Sequence, residues 1–164
     1  PFEFPWTDTL TESSLVAFHE DALRDSRPER WQLNLLAFHE GRPIGTQGVN
    51  AERFAETRTV ATGSWLGRDW QGRGLGTEMR AGVLQLAFVG LGAERAVSGA
   101  ISRNPPSLGV SRKFGYTETG SHVVSPRGEP LEHLDLELLR KDFTSPVPVS
   151  LDGLDGVLPL LGAA

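Results

Sequence analysis

The stretch from Ser64 to Met79, SWLGRDWQGRGLGTEM, constrains the fold more than any other part of the chain. It has the pattern of a strand end, a glycine-rich turn and the start of a helix. Glycines permit positive φ and close backbone approach, so consecutive N–H groups can point at one anion where a helix N-terminus adds its dipole. This pattern predicts a turn that binds a pyrophosphate. Its glycines and basic residues are Gly72, Gly74, Gly76, Arg68 and Arg73.

The spacing of the glycines separates the families that use such turns. A Walker loop requires Gly-Lys followed by Ser or Thr, and the chain has no such triplet. A dinucleotide-binding fingerprint would place its third glycine where Thr77 stands. Gln71, Gly74 and Gly76 instead match Gln/Arg-x-x-Gly-x-Gly/Ala, which resembles the coenzyme A signature of the GNAT family of N-acetyltransferases. Taken alone, the turn is also compatible with a purely structural connection between a strand and a helix.

A second motif, from Asn104 to Tyr116, resembles the other signature of that family, Asn-x-x-Ala/Ser-x-x-hydrophobic-Tyr/Ser-x-Lys-x-Gly-Phe/Tyr. The residues in register are Asn104, Ser107, Val110, Lys113, Gly115 and Tyr116. Two independent signatures are far more specific than one. The resemblance covers about Trp31 to Phe143, and the sequences around Gly63–Leu66 and Arg140–Phe143 resemble the branch that contains ribosomal-protein N-terminal acetyltransferases.

Hydrophobic periodicity predicts one helix, then strands, then the glycine turn with its helix, and a final hairpin. A capping box of Thr9 and Glu12 is expected to start the first helix, after an extended segment Pro1–Trp6. With the family resemblance, this implies an α/β (α+β) GNAT fold, a mixed, mostly antiparallel central sheet flanked by helices. The predicted helices are Leu10–Arg24 and Gly74–Val89, and the predicted strands are Trp31–Phe38, Ile44–Asn50, Arg58–Leu66, Glu94–Ile101, Thr117–Val124 and Leu131–Leu139, with a polar link Ala51–Thr57.

The beginning of the chain departs from the family pattern. Members usually begin with a strand and two helices, whereas one convincing helix precedes Trp31 here. We therefore expect residues 1–143 to form a GNAT domain that lacks the usual first strand and helix. Residues 144–164 are expected to form an extended arm that packs on the domain or on a partner. An uncovered sheet edge invites association, for example as a homodimer.

Composition excludes several classes of function. The absence of cysteine excludes disulfides and thiolate chemistry, and His19, His39, His122 and His133 are scattered in sequence, so we expect no metal site. A net charge of −5 and a pI near 5.4 argue against a nucleic-acid partner. No apolar run is long enough for a membrane span and no signal peptide opens the chain, so the expected location is the cytoplasm, without a membrane partner.

The resemblance implies a co-substrate site for acetyl-CoA with no metal. In this arrangement the pantetheine pairs with the strand end at Trp65 and Leu66, and a backbone N–H near Leu66 polarises the thioester carbonyl. The amides of residues 71–77 hold the pyrophosphate, and Asn104 contacts the pantetheine arm. The implied coenzyme-binding residues are Trp65, Leu66, Arg68, Gln71, Gly72, Arg73, Gly74, Leu75, Gly76, Thr77, Asn104, Ser107 and Lys113.

The catalytic groups are less well defined than the donor site. Many family members have a tyrosine seven residues after the motif asparagine as general acid toward the thiolate, and Ser111 occupies that position here. Ser111 or Ser107 is therefore the expected proton donor, with helix capping and coenzyme packing as the alternative roles. The candidate bases are Glu52, Glu56, His122 and His133, and a water relay is equally compatible with the sequence.

These features predict an acetyl-CoA-dependent N-acetyltransferase that acts on a primary amine by direct transfer, with a protein or peptide N-terminal α-amine as the expected acceptor. The alternatives are a small-molecule amine acetyltransferase of the same fold and a non-catalytic acyl-CoA-binding module. Saturable turnover would exclude the last of these.

Overall fold

The computed structural model describes residues 11–163, and within them six strands form one sheet with the order β1-β2-β3-β4-β6-β5. All neighbouring strands are antiparallel except β3 and β4, which are parallel. The predicted mixed, mostly antiparallel sheet is thus confirmed, and each predicted strand lies within two residues of its observed bounds. The strands are β1 (Arg30–His39), β2 (Arg42–Glu52), β3 (Thr59–Leu66), β4 (Arg95–Ile101), β5 (Thr117–Val124) and β6 (Leu131–Leu139).

The first helix, α1 (Glu12–Asp25), begins at a different cap from the predicted one. The Oγ1 of Thr11 accepts the backbone N–H of Ser14 at 3.1 Å, and the Oγ of Ser14 accepts the N–H of Thr11 at 2.9 Å. The predicted pair of Thr9 and Glu12 is therefore wrong, because Ser14 supplies the reciprocal group; Thr9 and the segment Pro1–Trp6 lie outside the described residues. No residue of α1 is buried, so its apolar stripe does not enter the core.

The main core lies between the sheet and two helices, α3 (Leu75–Gln85) and α4 (Pro105–Lys113). Instead of continuing regularly to Val89, α3 passes into a π-helical turn, Leu86–Gly90, in which the N–H of Leu91 donates to the carbonyl of Leu86. Of the residues that helical spacing predicts to face the sheet, Leu75, Val83, Leu86 and Ala87 are buried and Met79 is half-buried. The buried residues of the helix and turn are Leu75, Arg80, Ala81, Val83, Leu84, Leu86, Ala87 and Phe88.

The predicted polar link between the second and third strands contains a short helix, α2 (Phe54–Thr57). Phe54 is fully buried and meets the Trp31 ring edge-on, with ring centroids 5.7 Å apart. Arg53 and Arg58 adopt left-handed backbone conformations at the two ends of α2. These two sharp turns direct Phe54 into the core, which is why a segment of polar appearance contributes a core residue.

Residues 144–163 have little regular structure beyond a 3-10 turn at Pro159–Leu161, and they pack along the core. The indole N–H of Trp31 donates to the carbonyl of Leu161 at 2.8 Å, and Leu161 is itself buried. Near the C-terminal end of the π-helical turn, a Cβ added to Gly90 would lie 2.8 Å from Leu154. The other apolar side chains of this segment that pack against the core are Val147, Val149, Leu151, Leu158 and Ala163.

None of the helices between residues 11 and 163 is sufficiently long and apolar to cross a membrane.

Candidate active site

A wedge opens between β3 and β4. The two parallel strands pair only from Thr59–Ala61 to Arg95–Val97, whereas β3 remains paired with β2 as far as Leu66. At the closed end of the wedge, the hydroxyl of Ser98 donates to the carbonyl of Thr62 at 3.0 Å. Beyond this point the two strands diverge, so the end of β3 and the end of β4 face a gap rather than each other.

Arg80 lies beside the closed end of the wedge, a position that no sequence pattern predicts. Its side chain is 4% exposed, its Nη1 donates to the Oγ of Ser98 at 3.3 Å, and its guanidinium lies over the ring of Tyr116, 5.6 Å from the centroid. Within the described residues, its Nε has no hydrogen-bond partner. The wedge therefore has a buried positive charge at its base.

The glycine turn lies directly after the wedge strand β3. Gly72 and Gly74 have φ of 73° and 88°, a region that disfavours other residues. A Cβ built on either glycine would meet no heavy atom within 4 Å, so the space beside the turn is open. Gly74 is the N-cap of α3 and no side chain caps the helix there. The first N–H groups of α3 therefore remain available to a ligand, as a helix N-terminus requires for anion binding.

Contacts on both sides hold this turn against the end of β3. The amide Nε2 of Gln71 donates to the carbonyl of Leu66 at 2.9 Å. The guanidinium of Arg73 lies over the Trp70 ring at 4.9 Å from its centroid, and the His39 ring meets Trp70 edge-on with ring centroids 5.5 Å apart. Arg73 is thus fixed beside the open glycines, while Arg68 is exposed in the 3-10 turn Arg68–Trp70 that precedes them.

The second signature lies next to the first. The Oδ1 of Asn104 accepts the N–H of Ser107 at 3.3 Å and thereby caps α4. At the other end of α4, the Nζ of Lys113 lies 3.5 Å from the Oγ1 of Thr77 in the first turn of α3. A Cβ on Gly76 would lie 3.9 Å from Leu66 and 4.0 Å from Val110. Lys113 and Val110 of the second signature therefore lie beside the first turn of α3, whereas Asn104 and Ser107 are at the other end of α4.

The two candidate acids differ in exposure. Ser111 is 2% exposed, and within the described residues its Oγ has no hydrogen-bond partner. Ser107, one turn earlier on α4, is half-buried, and its backbone N–H is bonded to the capping Asn104. Ser107 is therefore the more accessible of the two hydroxyls, whereas Ser111 is enclosed by the protein.

The two candidate carboxylate bases lie away from the open end of the wedge. Glu52 is at the end of β2 that pairs with the start of β1, and its carboxylate is 3.7 Å from the guanidinium of Arg30. The Glu56 carboxylate is 3.3 Å from the guanidinium of Arg53. A cleft of about 400 Å³ between α1 and this end of the sheet is lined in part by the carboxylates of Asp21, Asp25 and Glu52.

The two candidate histidine bases lie together. His122 and His133 are cross-strand partners on β5 and β6, with ring centroids 4.9 Å apart, and both approach Asp135. The expectation that the histidines are scattered does not hold for this pair. Residues that are 11 apart in sequence become neighbours because the hairpin turn Ser125–Pro130 sets their register.

Two parallel strands separate at their ends, and the N-terminus of α3 beside them has no side-chain cap. This arrangement is typical of α/β proteins that bind an extended ligand with an anionic end. The comparison with family models identifies which family of such proteins the chain belongs to. The model of the acetyltransferase (GNAT) domain matches residues 2–117. The chain belongs to this family, the acetyl-CoA-dependent N-acetyltransferases, as the two signatures predicted.

Solved structures with acetyltransferase folds resemble the chain over most of its length. Ribosomal-protein-S5-alanine acetyltransferase from Vibrio fischeri is 19% identical with a TM-score of 0.63, over 81% of this chain and 72% of that one. A variant of spermidine N-acetyltransferase SpeG from Vibrio cholerae is 15% identical with a TM-score of 0.67, over 80% and 76%. RimJ of Mycobacterium smegmatis, in complex with CoA-disulfide, is 19% identical with a TM-score of 0.66, over 79% and 61%. At these identities the similarity supports the fold.

Proposed function

We propose that this chain transfers an acetyl group from acetyl-CoA to the N-terminal α-amine of a protein or peptide, by direct attack of the amine on the thioester. The observation that carries the proposal is the wedge between β3 and β4, which opens beside the uncapped N-terminus of α3. One arm of a ligand can enter the wedge while its anionic end lies on the glycine turn.

The residues around the turn fit coenzyme A. Open space beside Gly72 and Gly74 leaves room for a pyrophosphate, and the uncapped amides of the helix start can donate to its oxygens. Arg73 and Lys113 add positive charge on opposite sides of that turn. The remaining predicted contacts, from Trp65, Leu66 and Asn104 to the pantetheine, are part of the same proposal.

The reaction needs few protein groups once both substrates are held. The amine nitrogen forms a bond to the thioester carbon, the carbon–sulfur bond breaks, and the thiolate takes up a proton. A backbone N–H near Leu66 would stabilise the developing charge on the carbonyl oxygen. The hydroxyl of Ser111 or Ser107 would donate to the sulfur, and positioning of the two reactants would supply much of the remaining rate.

The acceptor follows from the need for a neutral amine. The wedge ends, residues 62–66 of β3 and 98–101 of β4, contain no Asp or Glu. At pH 7 about 10% of an α-amine of pKa about 8 is neutral, compared with about 0.04% of a lysine amine of pKa about 10.4. The α-amine therefore starts with an advantage of about 250-fold before any help from a neighbouring base such as Asp135, the cross-strand partner of Gly99 on β6. A Cβ on Gly63 would meet nothing within 4 Å, which leaves room at the wedge for a chain terminus.

The acidic cleft beside α1 does not favour a small polyamine acceptor. Its three acidic residues already form ion pairs, Asp21 and Asp25 with Arg24 and Glu52 with Arg30, and Arg27 and Arg30 also line the cleft. It also lies by Asn50 and Ala51, toward the end of β2, whereas the residue of β2 that pairs with Leu66 at the wedge is Gly45. A cationic molecule in this cleft would not be adjacent to the thioester.

The test measures thiol release from acetyl-CoA with three matched acceptors: a peptide with a free α-amine and no lysine, the same peptide with a blocked N-terminus and one lysine, and spermidine. At neutral pH we expect the free α-amine to give the largest kcat/KM, and we expect its advantage over lysine to shrink as the pH rises toward 10. Faster turnover of lysine or spermidine at neutral pH would contradict the proposal. Coenzyme binding without turnover of any amine would identify a binding module instead.

The proton donor can be assigned with the variants Ser111→Ala and Ser107→Ala. Loss of the acting hydroxyl should lower kcat about 10-fold or more, because general acid catalysis contributes at least that much. The loss should shrink with an acetyl thioester whose thiol is more acidic, since that thiolate needs less help to leave. A merely structural role would change thermal stability but not this leaving-group dependence.

A further inference from the structure

Three metal-ligating side chains converge on one face of the hairpin formed by β5 and β6. His122 and His133 are directly opposite each other across the two strands, and Asp135 follows His133 two residues later on the same face of β6. Their ligand atoms all lie within 4.8 Å of one another. The cluster is half-exposed, so an ion could reach it from solvent.

The distances within the cluster are longer than those of strong hydrogen bonds. The carboxylate of Asp135 lies 3.3 Å from the Nδ1 of His122 and 3.6 Å from the Nδ1 of His133. Good N–H···O bonds measure about 2.7–3.2 Å. The Nδ1 of His133 is buried, and no atom of the described residues forms a hydrogen bond with it. Whether this nitrogen is protonated or not, it therefore lacks a good hydrogen-bond partner within the described residues.

The two distances to Asp135 agree with the edges of a coordination tetrahedron, and the two histidine ligand atoms lie within 4.8 Å of each other. Zinc binds histidine nitrogen and carboxylate oxygen at about 2.0–2.2 Å, so two such ligands of a tetrahedral ion lie about 3.3–3.5 Å apart. The two measured separations bracket that range at 3.3 and 3.6 Å. We infer that the Nδ1 atoms of His122 and His133 and the carboxylate of Asp135 bind a divalent transition-metal ion of the zinc type, with a fourth position open to water.

The surroundings of the cluster favour a cation and orient one ligand. Neither strand of the hairpin contains a Lys or Arg, so no ammonium or guanidinium on these strands competes for Asp135. The neighbouring Glu137 is occupied by Arg95 at 3.2 Å. A Cβ on Gly99 would lie 2.1 Å from the Cε1 of His133, so the imidazole lies against the bare backbone of β4. Any other residue at position 99 would push this ring away from Asp135.

A bound ion would connect β5, the last strand of the sheet, to β6 through side chains. It would stabilise the folded state in proportion to its concentration, because the cluster forms only when the hairpin is folded. The cluster contains two of the candidate bases and lies against Gly99 at the end of β4, so an ion bound there would prevent His122 and His133 from accepting a proton from the amine. Zn²⁺ binding itself can be measured without acetyl-CoA or an amine, so its failure is distinguishable from failure of the proposed acetyl transfer.

The test uses untagged full-length protein treated with chelator and titrated with Zn²⁺ by calorimetry. We expect one ion per chain, and a Kd at least 30-fold weaker in His122→Ala and Asp135→Asn. His39→Ala serves as the matched control, because His39 packs on Trp70 rather than on this hairpin. Its affinity should equal that of the unmodified chain, and all variants should unfold at similar temperatures in the presence of chelator.

Cobalt provides a second readout of geometry. Co²⁺ in this site should give the strong visible absorption of a tetrahedral ion, and Zn²⁺ should remove that absorption at one equivalent. The inference is overturned if the unmodified chain binds no Zn²⁺, if His122→Ala binds it equally well, or if Co²⁺ shows only the weak absorption of an octahedral ion.

Discussion

Gly74→Ala tests whether the glycine turn holds the pyrophosphate of the donor. Gly74 has a φ of 88°, and an added Cβ would meet no heavy atom within 4 Å. The substitution therefore introduces no clash in the protein and acts in two ways. It strains the backbone at a left-handed position, and it places a methyl group in the space that a pyrophosphate would occupy.

The two effects have different magnitudes. Left-handed strain in a residue with a Cβ costs about 1–2 kcal/mol, which should lower the melting temperature of a chain of this size by several degrees. Loss of one or more hydrogen bonds to a charged oxygen costs about 1.5–3 kcal/mol each, which weakens acetyl-CoA binding by about 10- to 150-fold. Stability and affinity should therefore both fall.

Gly153→Ala separates strain from binding. Gly153 has a φ of 76°, and a Cβ added there would also meet no heavy atom within 4 Å. It lies in the C-terminal segment, which packs beside Gly90 and is therefore far from the N-terminus of α3 at Gly74. Both variants should lose similar stability in thermal unfolding, whereas only Gly74→Ala should lose acetyl-CoA affinity by calorimetry. Binding of acetyl-pantetheine, which lacks the pyrophosphate, should not distinguish them. Equal acetyl-CoA affinities in the two variants would refute the assignment of this turn.

Three further substitutions test the packing. Phe54→Ala should lower the free energy of unfolding in urea by about 3–5 kcal/mol, because the ring is fully buried, whereas Leu23→Ala at a site 71% exposed should change it by less than about 0.5 kcal/mol; similar losses in both would show that α2 is not part of the core. Trp31→Phe removes the indole donor to the buried carbonyl of Leu161 and should cost about 1–3 kcal/mol in the same assay, so an unchanged midpoint would mean that this bond does not anchor the C-terminal segment. Arg80→Met replaces a buried cation whose Nε lacks a hydrogen-bond partner in the described part of the chain, so the free energy of unfolding should stay equal or rise. A decrease above about 3 kcal/mol would indicate an ion pair that the described residues do not contain.

The strands were predictable because their signal is local. Alternation along Leu131–Leu139 puts Leu136 and Leu138 on the buried face, as observed, and the observed bounds of this hairpin equal the predicted ones. The conformation of the glycine turn was predictable for a related reason. Positive φ at Gly72 and Gly74 is a backbone requirement that glycine meets best, so it is visible in the sequence.

The buried face of the helix was predicted in part. Leu75, Val83, Leu86 and Ala87 are buried as expected, but the buried face is wider than predicted and also includes Arg80, Ala81, Leu84 and Phe88. The π-helical turn at Leu86–Gly90 inserts an extra residue into the helical repeat, and a regular 3.6-residue period cannot anticipate it. A buried arginine has no sequence signal, since on most helices that residue faces water.

The pairing of His122 with His133 was easier to predict than the buried face of the helix and harder than the strands, because it depends on how two strands of a hairpin pair. Once the turn joins Val124 to Leu131 as cross-strand partners, each step of two residues away from it pairs positions on the same face, and the first step brings His122 opposite His133. The contact between the two histidines could therefore be predicted from the strand bounds, once the two strands are paired residue by residue. It cannot be recognised from the spacing of the histidines along the chain. The shape of the glycine turn depends on backbone conformation, which a short glycine pattern encodes. Side-chain clusters depend on strand register, so they emerge only when predicted strands are paired residue by residue before the search for sites begins.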